Sequence, residues 1–538
     1  MGKAMFMYVF LFLSFLVPNH YLPWKSFYNE AMAFAFLLTA CFVFRAGRIG
    51  PVAWAVLGVL VFSFLQYFFG VIHYFSTVWL VVCYLGAAVL AYALGARKGT
   101  ERDSAYTFSW VFLAAGLVSA WIALSQWFDT SQFLFFGFTG EAARVTGNLA
   151  QANHLATLSL LAVASVLYLR QSGVLSAATF TLCSLLLLLV LALTQSRMGA
   201  LGFLLFIGVW FIKSRGKSVI GWKSALLLVA WFFFFFFFSK SVAEFLLLSS
   251  GAPGIERFMA ADRLDIWNQS ICAIRKSPLM GYGVGQSGSV QYLMAVECPL
   301  QMLSLHSHNL VLELLVWLGP VFGGGIVIFC FWRAWSWWRE ANGFESTYML
   351  CSIAILSLHA LLEYPLEYSY FLIPFFWFVG ALDSRRRAIV LPAKFMLFTG
   401  LLGGLMFGVT FWEYQRAEED FRNVRLEFAR LAKPSEGFRY FILDDISEQL
   451  FVARFTPYSG MDDKLIERIR VSTYLNPYAP FFKRYVQSLV LNERHAEALD
   501  AVLRFKSIYG DAAYNEFISQ FEDVRYMRFR ELLENNGL

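Results

Sequence analysis

Apolar runs of about 17–25 residues, each the length a helix needs to cross a bilayer, recur throughout the first 412 residues. Inside lipid every backbone N–H and C=O must find its partner within the protein, and a helix satisfies them within one segment. A chain built from such runs therefore folds as a bundle of membrane helices. Composition agrees: of 538 residues, 59% are hydrophobic, 18% aromatic and only 15% charged. That is far more apolar than an average soluble domain.

The spacing predicts spans near residues 4–18, 28–45, 51–69, 75–94, 106–127, 152–169, 174–194, 198–212, 222–239, 309–332, 347–362, 366–382 and 393–412. The first run, Met5 to Val17, has no small-residue cleavage site and leads into Pro18 and further spans. It is expected to be a retained helix and not a signal peptide. The fold class is thus all-α and polytopic, with about 13 transmembrane helices and a soluble helical tail.

Lys and Arg placement sets the orientation. With Lys3 inside, the clusters Arg45/Arg48, Arg97/Lys98/Arg102, Arg170, Lys213/Arg215/Lys217/Lys223, Arg333/Arg339 and Arg385/Arg386/Arg387/Lys394 all fall in the cytoplasm. Thirteen spans then put the tail 413–538 outside. The net charge of +6 is accounted for by the inside loops and requires no nucleic-acid partner. Four segments are expected: a transmembrane bundle over 1–239, a long outer loop over 240–308, further spans over 309–412, and the tail.

Among the seven Cys, Cys41, Cys83, Cys183, Cys330 and Cys351 fall in spans and are read as packing residues. Cys272 and Cys298 share the long outer loop, and an oxidising compartment allows them to pair. Phe232 to Phe238, seven Phe in a row, are read as lipid-facing bulk. In the tail, charge rises and helical periodicity appears between Asn476-Pro477 and Tyr509-Gly510 breaks. Stacked helical hairpins of tetratricopeptide type and a plain helical cap both fit this pattern, since no clean 34-residue period is present.

Several polar clusters fall on the outer side. The first loop, Pro18 to Glu30, has the prolines and aromatics of an interfacial belt. Arg144 to His154 is amide-rich, with Asn148, Gln151 and Asn153; such amides either cap a helix or bind a sugar or phosphate. Thr194 to Gly199 is a tight turn carrying Arg197, a cation on the side that usually lacks them. Its alternatives are a functional role and snorkelling to lipid headgroups. Arg263 lies in Ala261-Asp262-Arg263-Leu264-Asp265, where pairing with an adjacent Asp is the structural alternative. Gly281-Tyr282-Gly283-Val284-Gly285 follows no strand, so a flexible loop near a ligand is a better reading than a dinucleotide fingerprint. Leu362 to Tyr370 adds carboxylates and the hydroxyls of Tyr364, Tyr368 and Tyr370.

The densest chemistry is Ser304-Leu305-His306-Ser307-His308-Asn309-Leu310, at the outer surface before a new span with Glu313 one turn in. The chain has only seven His, and two are here. A neutral imidazole takes a proton from a hydroxyl near pH 7. Arg binds phosphate through a bidentate fork. Together they suit transfer of a group from a membrane-held pyrophosphate donor, with Arg on the leaving diphosphate and His activating the acceptor. A metal held by His306 and His308 is the alternative, although no Asp or Cys cluster adjoins them in sequence.

These motifs resemble a known family. Pro18-Asn19-His20-Tyr21-Leu22-Pro23-Trp24 with Glu30, Gly147 to His154, Ser196-Arg197, His308-Asn309, and His359 with Glu363-Tyr364-Pro365-Leu366 and Tyr370-Phe371-Leu372 are similar to bacterial O-linked oligosaccharyltransferases of the PglL type, within the O-antigen ligase and polymerase superfamily. The resemblance covers nearly the whole chain. It implies a glycosyltransferase-C-like membrane fold, a periplasmic active site at the bacterial inner membrane, and no metal or other cofactor. It further implies transfer of a preassembled glycan from undecaprenyl diphosphate to Ser or Thr of a periplasmic protein, often a pilin. By motif match, His308 is the essential His, with His306 beside it, and Arg197 and Arg263 hold the diphosphate. Gln151 and Tyr364 match further positions of importance, and Asn148 and Arg144 join the candidate donor-binding set. Competing readings are an O-antigen ligase acting on lipid A-core and, from another class, a transporter. A transporter needs polar or broken spans near the midplane, whereas the charges here cluster at one surface.

Overall fold

The computed structural model describes residues 2–44, 46–99, 101–135, 137–138, 144–248, 262–433 and 435–536. Arg45 and the stretch 249–261 of the expected outer loop, with Ala261, lie outside the described residues. The helices run α1 (Gly2–Leu13), α2 (Phe27–Phe44), α3 (Pro51–Phe68), α4 (Phe75–Gly95), α5 (Glu101–Trp127), α6 (Ala152–Gln171), α7 (Ala177–Leu193), α8 (Arg197–Ser214) and α9 (Trp222–Phe245). They continue as α10 (Asp262–Arg275), α11 (Ser287–Met294), α12 (Leu310–Glu340), α13 (Phe344–Ala360), α14 (Ser369–Leu382) and α15 (Ala393–Phe428). The tail holds α16 (Asp444–Arg454), α17 (Asp463–Leu475), α18 (Ala479–Leu491), α19 (His495–Ser519) and α20 (Met527–Asn535). Each span expected from sequence coincides with a helix. Among the described residues, nine helices are long and apolar enough to cross a membrane, and α7 and α14 are shorter apolar helices.

The chain divides into two compact units. The first comprises Met1–Gly58, Cys83–Ala260 and Cys330–Gly408. Its centre is α6, which is enclosed along its whole apolar window and ringed by α5, α7, α8 and α13. Small residues allow this. Gly116 of α5 meets Ala162 of α6 so closely that an added Cβ would stand 2.5 Å from the Ala162 side chain. Polar side chains then tie α6 to its neighbours. The His154 ring meets the Tyr370 hydroxyl at 2.8 Å, Thr157 meets His359 at 2.7 Å, and Ser165 meets Tyr348 at 2.9 Å.

Cations of the loops expected on the inside are built into this unit. A short antiparallel pair, β1 (Gly47–Ile49) with β2 (Ile389–Leu391), joins two predicted cytoplasmic loops. Arg48 donates to the carbonyls of Ala96, Ser384 and Arg386. Arg333 is fully buried against Asp383, whose carboxylate also accepts from Tyr92 at 2.9 Å and Trp337 at 2.8 Å. A buried pair persists only with its remaining lone pairs satisfied in this way.

The seven-Phe run is only half lipid-facing. Phe234, Phe237 and Phe238 are exposed, but Phe232 and Phe236 are buried, with Phe232 packed edge-on against Phe203. One helix turn separates the two inward rings, so a continuous apolar run still has an inner face.

The second unit comprises Val59–Val82, Ala261–Phe329 and Val409–Leu538. Here α12 is broken at Gly319-Pro320. The freed carbonyls are taken up by the glycine-rich segment: Tyr282 N–H donates to Val316 at 2.9 Å and Gly283 N–H to Trp317 at 3.2 Å. The Gln66 amide also donates to Met280 and Trp317, at 2.7 Å each. Gly281, at φ 74°, crosses the α12 backbone where an added Cβ would meet Trp317 O at 2.4 Å. The expected flexible ligand loop is therefore a buried backbone crossing, which glycine alone permits.

Cys272 and Cys298 are disulfide-bonded, joining α10 to the segment after α11. Tyr292 and Ala295 of the expected outer loop share one apolar core with Ile466, Phe482 and Phe505 of the tail. The tail is also fastened by carboxylates. Asp444 caps the start of α4 by accepting from Phe75 and Ser76 N–H, and Glu413 accepts from the N–H groups of Phe441, Ile442 and Leu443.

Candidate active site

Three residues other than glycine adopt positive φ immediately before a helix begins: Ala150 (55°), Gln195 (50°) and His308 (50°). Ala150 and Gln195 also close the helical turns before them, Ala150 as the C-cap of the 3-10 turn Gly147–Leu149 and Gln195 just past the end of α7, and the residues at 129, 215, 247, 430 and 493 do the same after their helices; left-handed caps are commonplace there. His308 follows no helix, so there the conformation costs about 1–3 kcal/mol without a capping benefit. Each of the three adjoins a residue marked by the sequence: Gln151, Ser196-Arg197 and His308-Asn309.

In the first unit, Gln151 is the N-cap of α6, and its side chain makes no cap hydrogen bond. Ser196 caps α8 by accepting from Gly199 N–H at 3.0 Å, which leaves Arg197 as the first residue of that helix. Ser196 Oγ donates to Asn153 Oδ1 at 2.7 Å, and Asn153 Nδ2 donates to Glu363 Oε1 at 3.1 Å. This chain ties the start of α6, the start of α8 and the turn holding Tyr364. Arg144 donates to the Gln195 carbonyl at 3.5 Å, so it lies beside the same turn. Arg144, Gln151, Arg197 and Tyr364 thus border one polar cluster, all half-buried. Two helix N-termini meet there, each carrying about half a positive charge. Backbone N–H groups, helix dipoles and Arg together favour an anion.

Asn148 takes a different part. It is buried, its amide donates to Leu16 O at 2.6 Å, and its carbonyl oxygen accepts from Phe138 N–H at 2.8 Å. Both ends of the amide are engaged by backbone, so it braces the loop. His20 adds to the brace, with ring nitrogens 2.8 Å from Lys25 O and 2.9 Å from Asn148 O. Burial pulls the His20 pKa below its usual range.

The first loop is likewise more than an interfacial belt. Glu30 is buried and accepts from Trp24 at 2.8 Å, Ser26 at 2.6 Å, Ser369 N–H at 3.1 Å and the Tyr84 hydroxyl. Its partner Ser369 is remote in sequence, so the loop composition alone gave no sign of this clasp. Asn153, Ser196 and Glu363 were visible as polar residues, but nothing local says that they join.

The second unit holds Arg263, on the first turn of α10, and the His segment. Asn309 Oδ1 caps α12 by accepting from Val311 N–H at 3.0 Å and Leu312 N–H at 3.2 Å. Glu313 is buried and reaches back to accept from Ser307 N–H at 2.6 Å, much as in a capping box. It also accepts from Ser287 Oγ, which in turn accepts from Trp317 Nε1 at 2.7 Å. His306 Nδ1 is 3.8 Å from Glu313 Oε1. His308 is therefore fastened on both sides, at Ser307 through Glu313 and at Asn309 through the cap.

Replacing Glu313 by Ala strands the Ser307 N–H and the Ser287 hydroxyl, at a cost of about 1–3 kcal/mol for each buried group left unsatisfied. The expected outcome is a lower melting temperature and slower turnover, read by thermal unfolding of the detergent-solubilised protein beside an activity assay. Unchanged melting and unchanged turnover would remove Glu313 from this supporting role.

The chain is similar to known proteins over most of its length. Residues 182–330 match the family described as O-Antigen ligase, and residues 347–522 match that described as virulence factor membrane-bound polymerase, C-terminal. Arg197, Arg263, His306 and His308 fall in the first stretch and Tyr364 in the second. The chain is 26% identical over 512 residues to a general O-oligosaccharyltransferase of Acinetobacter baylyi, covering 91% of this chain and 89% of that protein. It is 25% identical over 527 residues to a ComP-specific O-oligosaccharyltransferase of the same organism, covering 93% of each. The class is thereby defined: this is a multi-pass membrane glycosyltransferase, an enzyme that takes its glycan from a lipid-linked donor. Within that class, its similarity is to the O-antigen ligase family and to oligosaccharyltransferases.

Proposed function

We propose that this protein transfers a preassembled glycan from undecaprenyl diphosphate to a Ser or Thr hydroxyl of a periplasmic protein, a pilin being one such acceptor. The acceptor oxygen attacks the anomeric carbon, the bond from that carbon to the diphosphate oxygen breaks, and the hydroxyl proton passes to His308. Arg197 and Arg263 hold the leaving diphosphate, with Gln151, Arg144 and Tyr364 placing donor groups around it. His306 and Glu313 support the His segment. The observation that supports this reading is His308 held at φ 50° before the start of α12, with Ser307 fastened to Glu313 and Asn309 capping the helix. Within the first unit, the helix starts beside Gln151 and Arg197 supply anion-binding N–H groups, and within the second unit the His is held in a strained conformation.

The bilayer arrangement is part of the proposal. Thirteen spans with a glycosyltransferase-C-like fold lie in the bacterial inner membrane, the site faces the periplasm, and the tail is tetratricopeptide-like. The Lys and Arg bias supports this orientation. A reporter joined to the C-terminal end is expected to be active in the periplasm. Activity only in the cytoplasm would remove the thirteen-span count.

The test of function is genetic and chemical together. Deleting the gene should strip glycan from periplasmic protein while leaving lipid A-core unchanged, and the parent gene should restore it where His308→Ala does not. Loss of glycan from lipid A-core instead would identify an O-antigen ligase.

A further inference from the structure

A cavity of about 830 Å³ in the second unit is a groove between the C-terminal end of α15 and helices α16, α18 and α19. Its floor is apolar: Val424, Leu450, Phe481, Phe505 and Phe517 all line it and are all buried. The volume lies within the range of about 300–1,000 Å³ typical of ligand pockets. The groove is bent open where α19 breaks at Gly510, φ 77°, with Phe505 stacked on Phe517 at 4.1 Å across the break.

The rim is charged on one side of the balance. Arg425, Lys483 and Arg484 line the groove against a single carboxylate, Glu516. None of these three cations has an ion pair among the described residues. The nearby acids Asp420 and Glu427 are committed to Arg454, at 2.5 Å and 3.0 Å. Burial lowers the pKa of both Lys483 and Arg484 from their usual ranges, the direction expected of cations lacking a counter-charge. At the mouth, Phe428 is 60% exposed, an aromatic ring standing in water beside the cations.

We propose that this groove docks the acceptor protein through an acidic segment bearing apolar side chains, which enter the floor while their carboxylates meet Arg425, Lys483 and Arg484. The inference rests on the reading that the acceptor is a protein. A concave apolar floor with a cationic rim is the inverse of such a segment, in the manner of a peptide laid into a helical groove. A lipid headgroup would account for the cations and leave the buried aromatic floor unused. Docking here raises the local concentration of the hydroxyl without touching the reacting atoms.

The test uses the full-length protein in nanodiscs with lipid-linked donor and two acceptors. One is the periplasmic protein that carries the glycan in cells, purified unglycosylated. The other is a short peptide cut from around its modified Ser or Thr. In K483E/R484E, the KM for the protein should rise about tenfold or more, with kcat for the protein and transfer to the peptide unchanged, because reversed charges repel an acidic partner. K483Q/R484Q should fall between the two. Equal loss on both acceptors would mean that the groove supports the fold, and no change on either would mean that it docks nothing; each overturns the proposal. So would vesicles containing phosphatidylglycerol that bind the parent more tightly than K483E/R484E while the protein KM stays constant. A parent enzyme that glycosylates no protein at all would instead overturn the reading of function.

Discussion

A His308→Ala protein inserts as the parent does but transfers glycan about 10²–10⁴-fold more slowly, the range a positioned general base contributes. The geometry explains why the loss should be large and local. His308 is held at φ 50° between two anchored neighbours, Ser307 on the Glu313 carboxylate and Asn309 on the first turn of α12. Alanine keeps the backbone anchors and removes only the imidazole. Transfer rate in purified protein, normalised to the amount inserted, is the measurement. A near-parental rate would take the base role from His308.

The second large effect is expected at Arg197. Arg197→Lys keeps the charge at the start of α8 but loses the planar fork that grips two phosphate oxygens at once. Losing one charge-assisted hydrogen bond of about 1.5–3 kcal/mol slows transfer roughly tenfold to a hundredfold. The change should appear in kcat/KM for the lipid-linked donor. The Ser196–Asn153–Glu363 chain beneath it runs through other side chains and is retained in the variant. A donor kcat/KM equal to that of the parent would contradict diphosphate binding at this position.

Much of the fold was legible because lipid imposes one rule, about 20 apolar residues per helix. What the rule cannot show is where a helix ends. Hydropathy falls after Trp412, yet α15 continues to Phe428, since Glu418, Glu419 and Arg422 are as helical as the residues before them. Loss of hydropathy marks where polar surroundings begin and says little about the backbone. Glycine was ambiguous for a related reason: a flexible loop and a close backbone crossing both require it, and only the broken α12 shows that Gly281 serves the second. The candidate residues were visible as polar types out of place in an apolar chain. Their supports were not. Glu30 finds Ser369 and Asn153 finds Glu363 across more than half and about two-fifths of the chain, at separations of 339 and 210 residues. No local pattern encodes such partners: the sequence marks Asn148 as a candidate donor-binding residue, and only the fold shows that its amide also braces the loop against Leu16 and Phe138.

The central claim is that this membrane enzyme joins a diphosphate-linked glycan to a protein hydroxyl with His308 as base. The most direct measurement is mass spectrometry of the products when purified parent and His308→Ala proteins are each given undecaprenyl-diphosphate glycan with both an unglycosylated periplasmic protein and lipid A-core present. The account predicts intact glycan on Ser or Thr of the protein with the parent, and none above background with His308→Ala. Glycan on lipid A-core alone, or equal protein modification by both enzymes, would contradict it.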